Sequence, residues 1–314
     1  MDYTVFIPET LNALGFETHL IPNAFQPPHD REWGLSLPDI EFNDRTILVL
    51  NFQDRMSWDN SYLELDRVAE KYGSNSNRVL VTTLHHRPEY VYSGPVQVVE
   101  FSSHNIREIL RLQQHDTSWV NEPKTVGWQC LNGRTVEYRF RAATVLKSWT
   151  NGWLSYGNEI PLATWNYGTY RGTENDENFI RLRGVYGTAA VNIVTETQYY
   201  YPCLISEKSL LAFAAKQIPI IIGYKGIIRD CENAGFDMFR DIVDTSYEDL
   251  PDGIRVEQAI WRNQDLIMGK VDLSHLADRL EANRQHIING GLIEYYRQQF
   301  LTKAHQLAQE LILV

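Results

Sequence analysis

One stretch of the chain groups charged and capping residues at the start of a predicted helix, an arrangement that can bind a ligand. Ser206, Glu207 and Lys208 stand where a helix should begin. A helix N-terminus beside a lysine favours a diphosphate, because its free amides and its dipole attract negative charge. The carboxylate of Glu207 can accept hydrogen bonds from the two hydroxyls of a ribose. With Glu196 before them and Gly223 after them, these residues predict a nucleotide-diphosphate site.

The same stretch predicts the elements that hold these residues. A β-branched run at 191–194 indicates a strand that stops before Glu196, and Ser206 suits the N-cap of a following helix. The apolar run at 218–222 indicates a buried strand that ends at Gly223. Two parallel strands joined by a helix need a right-handed crossover, and ligands bind where such strands end. The site would therefore lie at the carboxyl edge of a parallel sheet.

The first part of the chain alternates between strand and helix patterns. This rhythm is typical of a parallel sheet flanked by helices, so the predicted fold class is α/β. Strands are predicted at 3–7, 19–21, 45–52, 77–83 and 96–101, and helices at 8–14, 63–72 and 105–114.

The second part repeats this pattern after a polar segment at 114–124, where we predict the first domain boundary. A strand is predicted at 125–131, and the Gly-, Asn- and Tyr-rich residues 157–187 predict irregular structure. A further helix is expected after residue 246, preceded by a Pro-Asp-Gly turn, and two more helices at 270–314.

Arginines are expected to complete the phosphate site. A tight Asn-Gly turn leads to Arg134 and into a predicted helix at 135–150, with Arg139 and Arg141 in its first turns. The arginine fork suits bidentate contact with phosphate. We therefore expect Arg134 and one of Arg139 and Arg141 to face the donor phosphates opposite Lys208.

The motifs in this half of the chain resemble a known family. The order Glu…Ile-Ser-Glu-Lys…Ala…Pro-Ile-Ile-Ile-Gly, from Glu196 to Gly223, resembles the donor-binding segment of fucosyltransferase-type glycosyltransferases. It is also similar to uncharacterised glycosyltransferase-like proteins of phages and algal viruses. In that group a Gly-Phe-x-x-Phe segment follows, as at 235–239 here. The string Leu-Asn-Gly-Arg…Arg…Ser-Tyr, from Leu131 to Tyr156, is similar to a string of the same group.

Two positions depart from these patterns. Glu196 is followed by Thr197 and Gln198 rather than by Asn-Ser, which leaves the donor open. Tyr138 or Phe140 stands where the viral group usually has His, which leaves the register of the arginine string open.

The resemblance implies two Rossmann-like domains that face each other across a cleft, the GT-B arrangement, and inverting transfer without a catalytic metal. The expected domains are an acceptor-binding domain at 1–120, a donor-binding domain at 121–290, and a C-terminal helix at 291–314 that packs back on the first domain. The donor would be a GDP- or UDP-sugar, which is a substrate, so no cofactor is expected. The acceptor would be a glycan or another hydroxyl compound.

Inversion needs a general base that deprotonates the acceptor hydroxyl from across the cleft. The base should follow a strand of the first domain, where Asp54, His85, His86 and Glu89 stand. Asp54 is our first candidate and His86 our second, and the alternative role for Asp54 is to cap the next helix. Adjacent histidines point to opposite faces of a strand, and no Asp-x-Asp string stands at a strand end, so a metal site is not expected.

Composition limits the classes of partner. The net charge of −11 disfavours a dedicated binder of nucleic acid, which is held mainly by Lys and Arg on phosphates. The three cysteines have no metal-ligand spacing and are expected to stay reduced. The N-terminal residues lack a signal-peptide pattern, and no window is apolar enough to cross a membrane. We therefore expect a cytoplasmic protein, and the resemblance to viral proteins implies a bacterial or virus-infected cell.

Two other functions remain open at this stage. One is a glycosyltransferase that acts on modified bases of phage DNA, which a basic rim on the first domain would favour. The other is a non-catalytic protein that binds a nucleotide sugar and lacks the base. Release of free nucleotide diphosphate would exclude the second alternative.

Overall fold

The computed structural model describes residues 3–21, 25–26, 34–35, 37–52, 61–83, 94–100, 103–157, 182–200 and 205–312. It is an α/β protein with two four-stranded parallel sheets. The chain divides into a first unit, residues 1–107 with 293–314, and a second unit, residues 108–292.

The first unit contains one parallel sheet and one small antiparallel pair. Its strands and helices are α1 (Tyr3–Ala13), β1 (Glu17–Ile21), β2 (Phe25–Gln26), β3 (Gly34–Leu35), β4 (Thr46–Phe52), α2 (Ser61–Tyr72), β5 (Val79–Thr83), β6 (Gln97–Glu100) and the first half of α3 (Ser103–Gln114). The parallel sheet has the order β1-β4-β5-β6, and β2 pairs with β3. The strands of the large sheet therefore follow one another across the sheet in the order in which they occur in the chain.

The prediction of a strand at 3–7 is wrong, because these residues begin α1. The buried residues of this segment are Phe6, Ile7, Thr10 and Leu11, whereas positions 9 and 12 are exposed. This spacing has the period of a helix, and burial at that period outweighs the strand preference of the β-branched residues in the segment. The ring of Phe6 packs edge-on against Phe300 at a centroid distance of 5.6 Å. The other predicted strands of this unit lie within two residues of β1, β4, β5 and β6.

The second unit contains the other parallel sheet. Its elements are β7 (Val126–Asn132), α4 (Glu137–Leu146), β8 (Gly152–Tyr156), α5 (Arg183–Thr188), β9 (Ala189–Thr195), α6 (Glu207–Ala214), β10 (Ile218–Ile222), α7 (Ile227–Asn233), α8 (Asp252–Arg262), α9 (Gln264–Ile267) and α10 (Ala277–Ile288). The long helix α11 (Gly291–Ile312) follows and belongs almost entirely to the first unit. The sheet order is β10-β9-β7-β8.

The core of the second unit forms on the face of the sheet that α4 and α8 cover. Trp128 and Cys130 of β7 pack there with Ile193 of β9 and Ile220 of β10. A Cβ atom on Gly152 would lie 1.9 Å from the indole of Trp128, so this strand position accepts only glycine. Cys130 and Cys231 are free and buried, and Cys203 lies outside the described residues.

The Gly-Phe-Asp-Met-Phe segment is held in place by packing. Phe236 stacks on Phe213 of α6 with a centroid distance of 4.1 Å. Arg279 of α10 donates to both carboxylates of Asp237 and Asp241, and its guanidinium lies 4.9 Å from the ring centre of Phe239. This motif therefore joins α6 to α10 by packing and ion pairs.

Candidate functional site

The order of strands in the second sheet reverses between β7 and β9. The chain passes from β7 to β8 on one side, and then returns across β7 to add β9 and β10 on the other. Right-handed crossovers then place α4 and α6 on opposite faces of the sheet. The chain leaves the ends of β7 and β9 in opposite directions, and such a switch point opens the crevice in which α/β sheets bind ligands.

The first helix that begins at this crevice is α4. Its N-cap position is Val136, and no side chain among the described residues caps the helix. The first amides of a helix have no partner within the helix, so the start of α4 offers free donors. Arg134 lies exposed in the turn just before this helix start.

A buried arginine joins the start of α4 to the end of β9. Arg139 is 3% exposed, and its Nη2 donates to the carbonyl oxygens of Thr195 at 3.3 Å and Glu196 at 2.9 Å. Its Nε is buried and has no hydrogen-bond partner among the described residues. A helical side chain points back toward the N-terminus of its helix, which directs this guanidinium to the helix start.

Tyr138 and Asn132 strengthen the same junction. The hydroxyl of Tyr138 donates to the carbonyl oxygen of Glu196 and lies 3.3 Å from that of Thr197. The side-chain oxygen of Asn132 accepts from the hydroxyl of Thr195. The ends of β7 and β9 are thus fixed to each other and to α4.

The second helix start, that of α6, already holds a carboxylate. Glu196 is buried, and its Oε1 accepts from the amide of Ser206 at 3.3 Å and from the hydroxyl of Ser209 at 2.5 Å. Its Oε2 accepts from the amide of Thr197 at 3.0 Å. A Cβ atom on Gly223 would lie 3.1 Å from the Cβ of Glu196, so the glycine leaves room for this side chain. Glu196 therefore joins the end of β9 to the start of α6.

Ser206 and Lys208 complete this helix start. Ser206 is the N-cap, and its Oγ accepts from the amide of Lys208 at 3.3 Å. The ammonium of Lys208 donates to Glu207 at 2.6 Å and to the hydroxyl of Thr197 at 2.9 Å. Glu196 and Glu207 outnumber the one lysine, so the start of α6 carries net negative charge.

The third helix start, that of α7, also holds a carboxylate. Glu248 accepts from the amides of Gly226 and Ile228, each at 3.0 Å. Burial raises the pKa of the Glu248 carboxyl, while the two amides act in the opposite direction. Among the described helices that follow β7, β9 and β10, α4 is thus the one whose first amides donate to no carboxylate, because Glu137, its first residue, accepts from the hydroxyl of Tyr200 instead. An anion at this edge is best accommodated there.

Arg141 has a different environment from Arg139. It forms a two-point ion pair with Glu257 of α8, at 2.8 and 2.5 Å. It also donates to the carbonyl oxygens of Asp252 at 3.0 Å and Gly253 at 2.7 Å. Arg141 thus joins α4 to α8, and Arg139 is the arginine at the crevice.

The candidates for the catalytic base, Asp54 and His86, lie outside the described residues. Within the part of the chain that the structure describes, no group of three or more His, Cys, Asp and Glu residues could hold a metal ion. None of the described helices has both the length and the apolar composition needed to cross a membrane.

Sequence reasoning missed Tyr138, Asn132 and Glu248 as parts of this edge. Asn132 and Tyr138 stand within the quoted arginine string, so the string itself was a usable signal. Glu248 caps a helix whose first amides lie 20 and 22 residues before it in the sequence. No local sequence pattern indicates such a contact.

Comparisons with protein-family models, with curated proteins and with solved structures gave no significant match. The functional argument therefore depends on the residues and the geometry of this chain.

Proposed function

We propose that the protein is a glycosyltransferase that takes its sugar from a nucleotide-diphosphate donor, a GDP- or UDP-sugar. It would transfer the sugar to a hydroxyl group of a glycan or another acceptor. The observation that carries this proposal is the uncapped start of α4 at the switch point of the sheet, with Arg139 beside it. Free helix amides and an arginine form a site for phosphate groups.

Each residue has a distinct part in the proposal. The diphosphate lies at the start of α4, with Arg134 and Arg139 as its positive partners. Lys208 supplies a further positive charge from the start of α6. These groups stabilise the negative charge that develops on the departing diphosphate. Glu196 joins the end of β9 to the start of α6, and Ser206 caps that helix.

The finer statements follow from the resemblance to fucosyltransferases. They are the GT-B arrangement, inversion without a catalytic metal, acceptor binding by the first unit, and a base at Asp54 or His86. Each of these stays a prediction.

Binding without catalysis is the second candidate function. The residues of the proposed donor site all belong to the second unit, so a nucleotide can be bound whether or not the first unit supplies a base. Transfer to modified bases of DNA is disfavoured by the net charge of −11.

A thermal-unfolding screen tests the donor site. The full chain is heated with GDP, UDP, ADP, CMP and the corresponding sugars, with and without a chelator. A nucleotide present at about 100 times its Kd should stabilise the fold by about 2.7 kcal/mol. We expect stabilisation by one nucleotide diphosphate, retained in chelator and reduced in Lys208→Ala.

Lys270→Ala is the matched control, because Lys270 forms a comparable ion pair with Asp265 at 2.8 Å on an exposed surface. Release of free nucleotide diphosphate from the stabilising sugar nucleotide then separates the enzyme from the binding protein. If no nucleotide in the panel stabilises the fold, the proposed function is wrong.

A further inference from the structure

Of the two described tyrosines that follow β9, one is packed and the other is exposed, and Tyr201 lies outside the described residues. Tyr199 is 1% exposed, whereas its neighbour Tyr200 is 55% exposed. The two rings meet edge to face, with centroids 5.0 Å apart and an interplanar angle of 86°. The ring of Tyr200 thus presents a large aromatic surface to solvent and packs on the buried ring of Tyr199.

Tyr199 is held from both sides. Its ring stacks on Tyr138 at a centroid distance of 4.9 Å and an angle of 9°. The buried guanidinium of Arg255 lies 4.3 Å from its ring centre. The Tyr199 hydroxyl also donates to the carbonyl oxygen of Asp252 at 2.9 Å. This stack joins α4, α8 and the loop after β9, and therefore fixes the position of Tyr200.

A second contact fixes the ring of Tyr200 itself. Its hydroxyl donates to Oε2 of Glu137 at 3.1 Å. Glu137 is the first residue of α4, so the ring lies beside the helix start that we propose for the phosphates. An exposed tyrosine on a protein surface is common, but most are free to rotate. Here the edge-to-face contact with Tyr199 and the hydrogen bond to Glu137 limit the rotation of the ring, so a ligand that stacks on it loses less entropy in ordering it.

We propose that the exposed ring of Tyr200 stacks against the nucleobase of the bound nucleotide diphosphate. This inference rests on the proposed function, because it assumes that the phosphates lie at the start of α4. A nucleobase is planar and is joined to the diphosphate through the ribose, so it can reach an aromatic ring beside the phosphate site. Every base has a π face, so the contact selects nucleotides over other diphosphates and discriminates little between bases.

Isothermal titration calorimetry with the full chain tests this inference. The ligands are GDP, UDP and inorganic pyrophosphate, and the variants are Tyr200→Ala and Tyr200→Phe. Loss of a stacked base typically weakens binding by about tenfold or more. We expect Tyr200→Ala to weaken GDP and UDP binding by about this factor and to leave pyrophosphate binding unchanged. Tyr200→Phe keeps the ring and should stay close to the wild-type protein.

Trp261→Ala is the control for removal of an exposed aromatic side chain, because Trp261 is 47% exposed at the other end of α8. If Tyr200→Ala binds GDP and UDP as the wild-type protein does, the stacking inference is wrong and the donor site stands. An equal loss of pyrophosphate binding would also overturn it, because Tyr200 would then act by shaping the start of α4. If the wild-type protein binds none of the three ligands, the proposed function fails together with the inference.

Discussion

The amino and carboxyl edges of the second sheet each hold a cation that donates to backbone carbonyls, half-buried Lys124 at the first and buried Arg139 at the second, yet the two side chains differ in the number of donors left without a partner. At the amino edge, the ammonium of Lys124 donates to the carbonyl oxygens of Gly187 and Ala215, each at 2.9 Å, and of Tyr186 at 3.3 Å. An ammonium has three donors, so all of them are used. At the carboxyl edge, the Nε of Arg139 is left without a partner among the described residues.

The side-chain amides near each cation also differ in which groups are left without a partner. At the amino edge, Oε1 of Gln217 accepts from Gln129 at 3.1 Å and from Asn192 at 2.9 Å. The group left over there is Oε1 of Gln129, which is an acceptor and cannot bind an anion. At the carboxyl edge the groups left over are donors. In the proposed function, the balance of donors and acceptors, rather than the presence of a cation, makes the carboxyl edge the binding edge.

The largest expected effect comes from Arg139→Met. The variant removes a charged donor from the proposed site, and a hydrogen bond to a charged group contributes about 1.5–3 kcal/mol. Nucleotide affinity should fall by about 10- to 100-fold in calorimetry. Arg139→Lys keeps the charge without the fork and should restore part of the affinity. If Arg139→Met binds like the wild-type protein, the distinction between the two edges has no functional meaning.

Lys124→Met should lower the stability of the fold and leave nucleotide affinity unchanged. Burial lowers the pKa of Lys124 to about 8, so its ammonium is already costly to bury, and the three carbonyls hold it in place. Removal of the donor leaves these carbonyls unpaired, and we expect the free energy of unfolding in urea to fall by about 1–3 kcal/mol. Nucleotide affinity should stay within twofold of wild type, about the error of the measurement. A loss of affinity equal to that of Arg139→Met would contradict the comparison.

Lys208→Ala should weaken nucleotide binding by a smaller factor, about tenfold, because the lysine lies at a helix start that already holds two carboxylates. Its ion pair with Glu207 is partly exposed, so the free energy of unfolding should change by less than about 1 kcal/mol. Calorimetry and urea unfolding of the same preparation provide both values. Complete loss of binding would instead place the diphosphate at α6.

The smallest effect is expected from Glu248→Gln, measured as stability against pH. Burial raises the pKa of the Glu248 carboxyl in the folded state. Its contribution to stability is therefore fully present below the unfolded pKa and is lost as pH rises through the folded pKa. The amide of glutamine still accepts from Gly226 and Ile228 and carries no charge. The variant should thus be as stable as the wild-type protein or more stable at pH 7, and this difference should shrink as pH is lowered to 4. A variant that is clearly less stable at pH 7 would contradict this account.

The sequence predicts the elements of the second sheet well and their roles less well. The strand at 218–222 and the N-cap at Ser206 appear as predicted, because local hydrophobic runs and capping residues determine them. The sequence left Arg139 and Arg141 as equal candidates. The structure separates them because residues two apart on a helix point to different sides, one toward β9 and the other toward Glu257 of α8.

The choice between the three helix starts could not be made from sequence. Ser206 and Lys208 form a clear local pattern, whereas the start of α4 has no capping residue to mark it. The pattern was predicted to bind the anion, but Glu196 and Glu207 lie at the same helix start. At α7 the occupying carboxylate, Glu248, comes from a distant part of the chain. These contacts depend on tertiary structure, so the hydrophobic periodicity of the sequence does not predict them.

Hydrogen–deuterium exchange of the full chain with GDP and UDP tests the central claim most directly. The first amides of α4 have no capping side chain, so they should exchange quickly in the free protein and become protected by a bound diphosphate. The account predicts that protection is greatest in the peptide 133–141, with little change at the amino edge around Lys124. Protection confined to the start of α6 or α7, or no protection by a nucleotide that binds, would contradict it.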